Sequence, residues 1–253
     1  MNNTTVMNKK VFSKTPVLSD KPFSYCPGCT HGIIQRLIAE VMEELSICEE
    51  TIGVGPVGCA LSLWDYWRID MQGAAHGRAP AVATGIKRVQ PDKMVFTYQG
   101  DGDVIAIGTA EIIHAAARGE KITCIMVNNC NFGMTGGQHS PTTLVTQRTQ
   151  TTAAGRDPEV FGYPIRVAEL LAQLDGTCYS VRTASHKPAQ VKKTKRAIKR
   201  AFELQKARKG FTFVEVLSTC PVNWGVTPLA AVDWLEGNMI KHFPLGVFKD
   251  TTG

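Results

Sequence analysis

Apolar positions recur at helical spacing from His31 to about Leu45, where Ile34, Leu37, Ile38, Val41, Met42 and Leu45 fall on one face. A short strand is predicted at Thr51–Val54, ending in the glycine-rich turn Gly55-Pro56-Val57-Gly58-Cys59. The small-residue run Ala79–Val89 reads as a tightly packed helix. Lys93–Tyr98 and Lys121–Val127 are continuous apolar and β-branched runs, the pattern of strands buried on both faces. Between them lie the turn Gly100-Asp101-Gly102-Asp103 and a helix over Val104–Arg118, stopped at Gly119. Strand, turn, helix and strand at this length make a βαβ unit, so the sheet is parallel. A helix at Ile165–Leu174, a strand at Thr177–Arg182, a helix at Pro188–Arg208 and a strand at Phe211–Leu217 continue the alternation. The predicted fold class is therefore α/β, a mostly parallel sheet with helices on both faces.

Three segments resist this reading. Residues 1–24 are polar, with Pro16 and Pro22, and are expected to form an N-terminal arm before a main domain at 25–222. Residues 133–160 hold Thr135, Thr142, Thr143, Thr146, Thr149, Thr151 and Thr152 with little apolar period; so long a loop in a compact domain is functional or disordered. Residues 223–253, with Trp224 and Trp234, are weakly periodic and are expected to pack on the domain or on a partner subunit.

Composition then narrows the class. The chain has 253 residues, 43% hydrophobic and 20% charged, which suits a globular core and not a disordered chain. No apolar run nears the ~20 residues of a spanning helix, and the first residues lack the apolar stretch of a secretory signal. A cytoplasmic protein without membrane attachment is the expectation. The net charge of +6 is uneven: residues 186–210 hold ten Lys or Arg and one acid, Glu203. Such a run is ordinarily a solvated helix face, and the sharper alternative is docking of an acidic partner. Nucleic acid ranks third, because no binding motif accompanies the charge.

The candidate chemistry begins at Gly100-Asp101-Gly102, where a parallel strand hands over to a helix. Ligands bind at such carboxyl ends, and a helix N-terminus near Asp103 offers free N–H groups to phosphate. Asp101 is a hard oxygen ligand that needs a bridging Mg²⁺ to tolerate a diphosphate. The next strand ends in Asn128-Asn129-Cys130-Asn131, whose side-chain and backbone oxygens are placed to complete that metal site.

Cys26-Pro27-Gly28-Cys29 has the spacing with which two thiolates grip one centre, and alone it reads as half a zinc site or a redox dithiol. Cys59 and Cys220 also sit in turns, Cys220 before Pro221. Four thiolates suit zinc or a four-iron cluster, and spacing does not separate the two. Cys48, Cys124, Cys130 and Cys178 read as small core residues.

Gly100-Asp101-Gly102-Asp103 with Asn128-Asn129 resembles the signature of thiamine-diphosphate enzymes, and His76 to Lys87 resembles the small-residue helix of their diphosphate domain. Adding Cys-Pro-Gly-Cys, Thr135-Gly136-Gly137-Gln138 and the late Cys-Pro, residues 24–225 resemble the β subunit of 2-oxoacid:ferredoxin oxidoreductases. The chain is short for that family and lacks its long C-terminal extension, as many members do. The resemblance implies oxidative decarboxylation of a 2-oxoacid to an acyl-CoA, with coenzyme A as co-substrate and electrons passing through a 4Fe–4S cluster to ferredoxin. It implies cluster ligands at Cys26, Cys29, Cys59 and Cys220, and Mg²⁺ ligands at Asp101, Asn129 and the backbone carbonyl of Asn131. It implies thiamine diphosphate contacts at Gly58, His76, Gly77, Gly100, Asp101, Gly102, Asp103, Asn129, Thr135 and Gln138. His76 and Arg78 are the candidate catalytic contacts to diphosphate or substrate carboxylate. An alpha subunit carrying the pyrimidine-side domain, and in some members gamma and delta subunits, completes the enzyme; the proton-relay glutamate is expected on that partner. A branched-chain 2-oxoacid or 2-oxoglutarate is favoured as substrate. The competing readings are a non-redox thiamine-diphosphate decarboxylase or acyl synthase with structural zinc, and a nucleic-acid binder acting through 186–210.

Overall fold

The computed structural model describes residues 13–251, so the first twelve residues of the expected arm, and Thr252 and Gly253, lie outside the described residues. In chain order the elements are α1 (His31–Glu44), β1 (Thr51–Gly55), α2 (Leu63–Tyr66), β2 (Asp70–Gly73), α3 (Ala79–Val89) and β3 (Met94–Gly100). A π-helical turn (Asp103–Ile107), α4 (Thr109–Ala117), β4 (Thr123–Asn128), α5 (Pro158–Phe161), α6 (Val167–Ala172) and β5 (Thr177–Ala184) follow. The chain continues through α7 (Pro188–Lys206), β6 (Phe211–Leu217), α8 (Pro221–Trp224), α9 (Pro228–Trp234), α10 (Ile240–His242) and β7 (Gly246–Asp250).

The seven strands form one sheet in the order β2-β1-β3-β4-β6-β5-β7, parallel throughout except for β7, which runs antiparallel to β5 at the edge. One apolar layer packs under α1 and α7, with Ile34, Ile38, Met42, Ile198 and Phe202 against Phe96, Ile125 and Val214. The opposite layer lies under α3, α4 and α6, with Ala83, Ile112 and Leu171 against Val95, Cys124 and Phe213. Burial on both faces is what the continuous apolar runs of β3, β4 and β6 require.

Two strands and one helix break differ from the sequence reading. β2 and β7 are short and partly polar, and they form by pairing with edges that other strands already present. The helix expected over Val104–Arg118 opens as a π turn, in which Gly108 N–H donates to the Asp103 carbonyl at 3.0 Å. The cause is close packing: a Cβ on Gly108 would stand 2.6 Å from the Gly77 carbonyl oxygen.

The segments that carried no pattern are organised too. Val17 and Leu18 are buried, and Leu18 bridges to Trp67. Leu235, Met239 and Phe243 bury against Ala184, Leu217, Cys130 and Leu144, which seats the C-terminal helices over the carboxyl ends of β5 and β6. The basic helix α7 is tied to acids of this chain: Lys195 to Glu40 and Glu44, Lys199 to Glu44, and Arg200 to Asp250. Lys192, Lys193 and Arg196 remain exposed on its outer face.

Candidate functional site

The neighbouring strands β1, β3, β4 and β6 end on one rim, and the turns that follow them carry the chemistry. Asp101 follows β3 and is 1% exposed. Its Oδ2 accepts hydrogen bonds from Ser140 Oγ at 2.6 Å and from Thr142 Oγ1. Burial nevertheless pushes its carboxyl up to about 6. The turn after β4 brings further polar atoms to it. One terminal atom of the Asn129 carboxamide lies 3.2 Å from Asp101 Oδ1 and 2.8 Å from the Asn131 carbonyl oxygen. With nitrogen at that atom both contacts are hydrogen bonds; with oxygen there, three oxygens face one another. Ligands about 2.0–2.1 Å from an octahedral Mg²⁺ stand about 2.9 Å apart. Both separations from the Asn129 atom are close to that ligand spacing, and rotation of one amide exchanges hydrogen bonding for a set of oxygens.

A cleft of about 90 Å³ opens beside these atoms, bordered by Gly58, His76, Gly100, Asp101, Gly102, Asp103, Asn129, Asn131, Phe132 and Thr135 among others. Cβ atoms built on Gly58 or Gly100 would meet nothing within 4 Å, so backbone there is open to a ligand. Gly102 is required for another reason, since a Cβ would stand 2.3 Å from the Phe132 ring. Gly77 has φ +78, and a Cβ there would lie 2.6 Å from the Gly108 nitrogen.

Other expected contacts are placed differently. Asp103 borders the cleft, but its carboxylate accepts from Gly77 N–H at 2.8 Å, from Gln99 Nε2 at 2.5 Å and from His76 Nδ1. It orients His76, and three donors of this chain occupy its two oxygens. Arg78 is not brought to the cleft: its guanidinium pairs with Glu111 across α3 and α4. Gln138 also stays outside, its amide closing a local turn on Thr135.

Cys26, Cys29, Cys59 and Cys220 border a second cavity of about 320 Å³. The Cys26–Cys29 loop is pinned to the strand ends: Thr219 Oγ1 donates to the Gly28 carbonyl at 2.6 Å, and Thr30 Oγ1 lies 2.6 Å from Ser218 Oγ. Ser185 Oγ donates to Thr30 Oγ1 at 2.7 Å. Burial pushes the Cys29 thiol up to about 12 and Cys59 to about 11, and neighbouring thiolate charge adds to both. Such thiols ionise only with cationic charge between them. Among the described residues no three His, Cys, Asp or Glu side chains close on a single metal ion. Four cysteines around one cavity are a donor set open to a multi-iron cluster or to tetrahedral zinc.

The two cavities share a wall. His31, Cys59, Asn129, Gly133 and Met134 border both. His31 went unread in the sequence as anything but a helix start. It is buried, its Nδ1 lies 2.7 Å from Tyr98 Oη, its ring stacks on Tyr25, and burial lowers it to about 4, so it is neutral at pH 7. Ser140 and Thr142 were also missed as individuals, though their threonine-rich loop was not.

The description of thiamine pyrophosphate enzymes, C-terminal TPP binding domain, matches residues 64–216. That span contains the cleft's metal turn, and all four cavity cysteines fall outside it. Ketoisovalerate oxidoreductase subunit VorA of Methanothermobacter thermautotrophicus is 45% identical, covering 96% of this chain and 53% of its own length. 2-Oxoglutarate synthase subunit KorB of Methanocaldococcus jannaschii is 37% identical, covering 81% of this chain and 72% of its own length. A solved 2-oxoglutarate:ferredoxin oxidoreductase from Magnetococcus marinus, with 2-oxoglutarate, coenzyme A and succinyl-CoA bound, matches with TM-score 0.80 at 25% identity, over 97% of this chain and 87% of that one. The chain belongs to the thiamine pyrophosphate-binding subunits of the 2-oxoacid:ferredoxin oxidoreductase family. It spans about half the length of the VorA relatives it matches. Among the described residues, no helix is long and apolar enough to cross a membrane.

Proposed function

We propose that this chain is the cofactor- and cluster-binding subunit of a cytoplasmic, CoA-acylating 2-oxoacid:ferredoxin oxidoreductase. The observation that carries the proposal is the wall shared by the three-oxygen metal turn and the four-cysteine cavity. A cofactor site without redox function has no need of that adjacency. Asp101, Asn129 and the Asn131 carbonyl hold Mg²⁺, and the four cysteines hold one 4Fe–4S cluster. Bound thiamine diphosphate supplies the carbon nucleophile and electron sink that 2-oxoacid decarboxylation needs.

The chain's own residues do the rest. Asp101 gives the metal its negative charge, with Ser140 and Thr142 fixing which oxygen stays free. Asp103 holds His76 by Nδ1, leaving Nε2 as the ring atom available to the diphosphate side. Gly58 and Gly100 let backbone close on the phosphates, Gly77 and Gly102 keep the turns packed on Gly108 and Phe132, and His31 walls off the cluster side with a neutral ring.

A partner subunit is part of the proposal. The cleft of about 90 Å³ is far below the roughly 300 Å³ of pockets that enclose a small organic ligand. The carboxylates bordering it are Asp101 and Asp103, both engaged, so the proton-relay acid comes from the alpha partner. Identity of 45% to a ketoisovalerate enzyme against 37% to a 2-oxoglutarate enzyme supports a branched-chain 2-oxoacid as substrate.

The test is anaerobic reconstitution with the partner subunit, followed by assay of a 2-oxoacid panel with coenzyme A and ferredoxin. A visible absorption band that bleaches with dithionite and with a branched-chain 2-oxoacid plus coenzyme A is expected. A colourless protein holding stoichiometric zinc, or decarboxylation without electron transfer, overturns it.

A further inference from the structure

Glu215 lies in the middle of β6, where Arg182 of β5 and Met126 of β4 are its register partners. The Glu215 and Arg182 side chains are both fully buried, with Arg182 Nε 2.9 Å from Glu215 Oε2. Burying such a pair is costly before any attraction is counted, so its presence in a central strand calls for a use. Arg182 is held from the far side: Nη1 donates to Glu169 Oε1 at 2.9 Å and to the Pro244 carbonyl at 3.1 Å. Its guanidinium also stands within 5.2 Å of the Phe243 ring centre and 5.0 Å of that of Phe248.

The other oxygen of Glu215 points toward the site. Asn128 Nδ2 donates to Glu215 Oε1 at 2.8 Å, and Asn128 Oδ1 accepts Cys130 N–H at 3.1 Å. The Asn128 carbonyl is in turn held by Ser218 N–H at 2.8 Å. Cys130 has φ +57, a conformation that a non-glycine residue keeps only when its surroundings impose it. This is the turn that presents Asn129 and Asn131.

We infer that Glu215, braced by Arg182, is a positioning residue for the metal turn, acting through Asn128 to hold Cys130 in its left-handed conformation and so to set the Asn129 and Asn131 oxygens. The inference rests on the metal site proposed above and adds to it a charged brace buried in the sheet. A carboxylate is needed because its charge pairs with Arg182 at Oε2 while Oε1 accepts from Asn128; a carboxamide carries no charge to offer the guanidinium.

Glu215→Gln and Asn128→Ala are compared with the unmodified enzyme, each in the reconstituted complex. Calorimetry reads the Mg²⁺ dependence of thiamine diphosphate binding, near-ultraviolet circular dichroism reads the fold, and visible absorbance reads the cluster. Each variant is expected to need about 10–100-fold more Mg²⁺ for half-saturation, with turnover at saturating Mg²⁺ close to that of the unmodified enzyme and cluster absorbance unchanged. The double variant is expected to be no worse than Asn128→Ala, since the two act in series. Unchanged Mg²⁺ half-saturation in Asn128→Ala overturns the inference, including where Glu215→Gln fails to fold. Loss that excess Mg²⁺ does not rescue, in a variant with altered circular dichroism, also overturns it, as a merely structural role. Asp101→Ala separates the two levels: Mg²⁺-dependent binding that survives in that variant overturns the metal site itself and this inference with it.

Discussion

Ser140 and Asp101, 39 positions apart, are joined by a 2.6 Å hydrogen bond between the hydroxyl and Oδ2. The bond ties the long threonine-rich loop to the end of β3 and leaves Oδ1 as the oxygen facing Asn129. It also makes the loop part of the proposed metal site, so changes to either have consequences for the other.

Proton competition at Asp101 follows from its environment. Burial raises its carboxyl from 3.8 to about 6, so between those values the folded chain holds a proton that the unfolded chain has lost. The contribution of this group to metal-free stability therefore falls as pH rises through that window. Mg²⁺ must displace the same proton, so its affinity is expected to drop about tenfold per unit below pH 6. Asp101→Asn should abolish tight binding and flatten the profile; titration of thiamine diphosphate binding across pH checks both.

Arg156 folds the loop. Nη1 donates to the carbonyls of Ser140, Pro141 and Thr143 at 3.1, 3.1 and 2.6 Å, Nε to Gly162 at 2.9 Å, and Nη2 to Phe161 and Tyr163 at 3.0 and 3.2 Å. Replacement by Met strands those carbonyls and should cost roughly 3 kcal/mol of local stability. Faster hydrogen exchange across 140–163 and weaker Mg²⁺ binding are the expected signs, with the cysteine cavity unaffected.

Cys220→Ser should lower iron content and abolish 2-oxoacid-dependent electron transfer, because it removes one of the four thiolates bordering the cavity. Thiamine diphosphate binding should survive. Cys48, packed at the edge of the core, is the control: Cys48→Ser should alter neither iron nor activity. The reverse pattern would show that the ligands are misassigned.

The outer face of α7 should steer an acidic partner. With Lys195 and Lys199 engaged by Glu40 and Glu44, the exposed charge in the middle of the helix includes Lys192, Lys193 and Arg196. Reversing these three to Glu should slow association with ferredoxin or an acidic subunit at low salt, with little change in dissociation. Stopped-flow rates that ignore both salt and reversal would assign the face to solvent.

What could be read in advance tracks where the physics is local. β3, β4 and β6 were legible because burial on both faces leaves an unbroken apolar run. Asp101 and Asn129 were legible because oxygen-bearing residues at adjacent strand ends meet whatever the side chains between them do. β2 and β7 were not, since a short polar edge strand is made by its neighbour and not by its own composition. Arg78 was misplaced for a related reason: nothing in the chain announces that Glu111, two helices on, will take its guanidinium. His31 sat at an ordinary helix start, and only its stack on Tyr25 and its hydrogen bond with Tyr98 reveal it.

The lateral order β1-β3-β4-β6 has a further meaning for charge movement. Cys59 follows β1, Asp101 follows β3, Asn129 follows β4 and Cys220 follows β6, so the metal turn lies between the outermost two sulfur-bearing ends. Adjacent strands are about 4.8 Å apart, and each metal-turn strand, β3 or β4, is one such step from a sulfur-bearing neighbour, β1 or β6. In the enzyme proposed here, the separation between electron donor and acceptor on this rim is thus set by backbone pairing. Tunnelling falls off exponentially with distance, and a gap fixed by the sheet stays nearly constant while side chains fluctuate or are exchanged. On that proposal the transfer rate is expected to be a property of the fold, with substitutions around the cleft tuning which acid is oxidised without lengthening the wire.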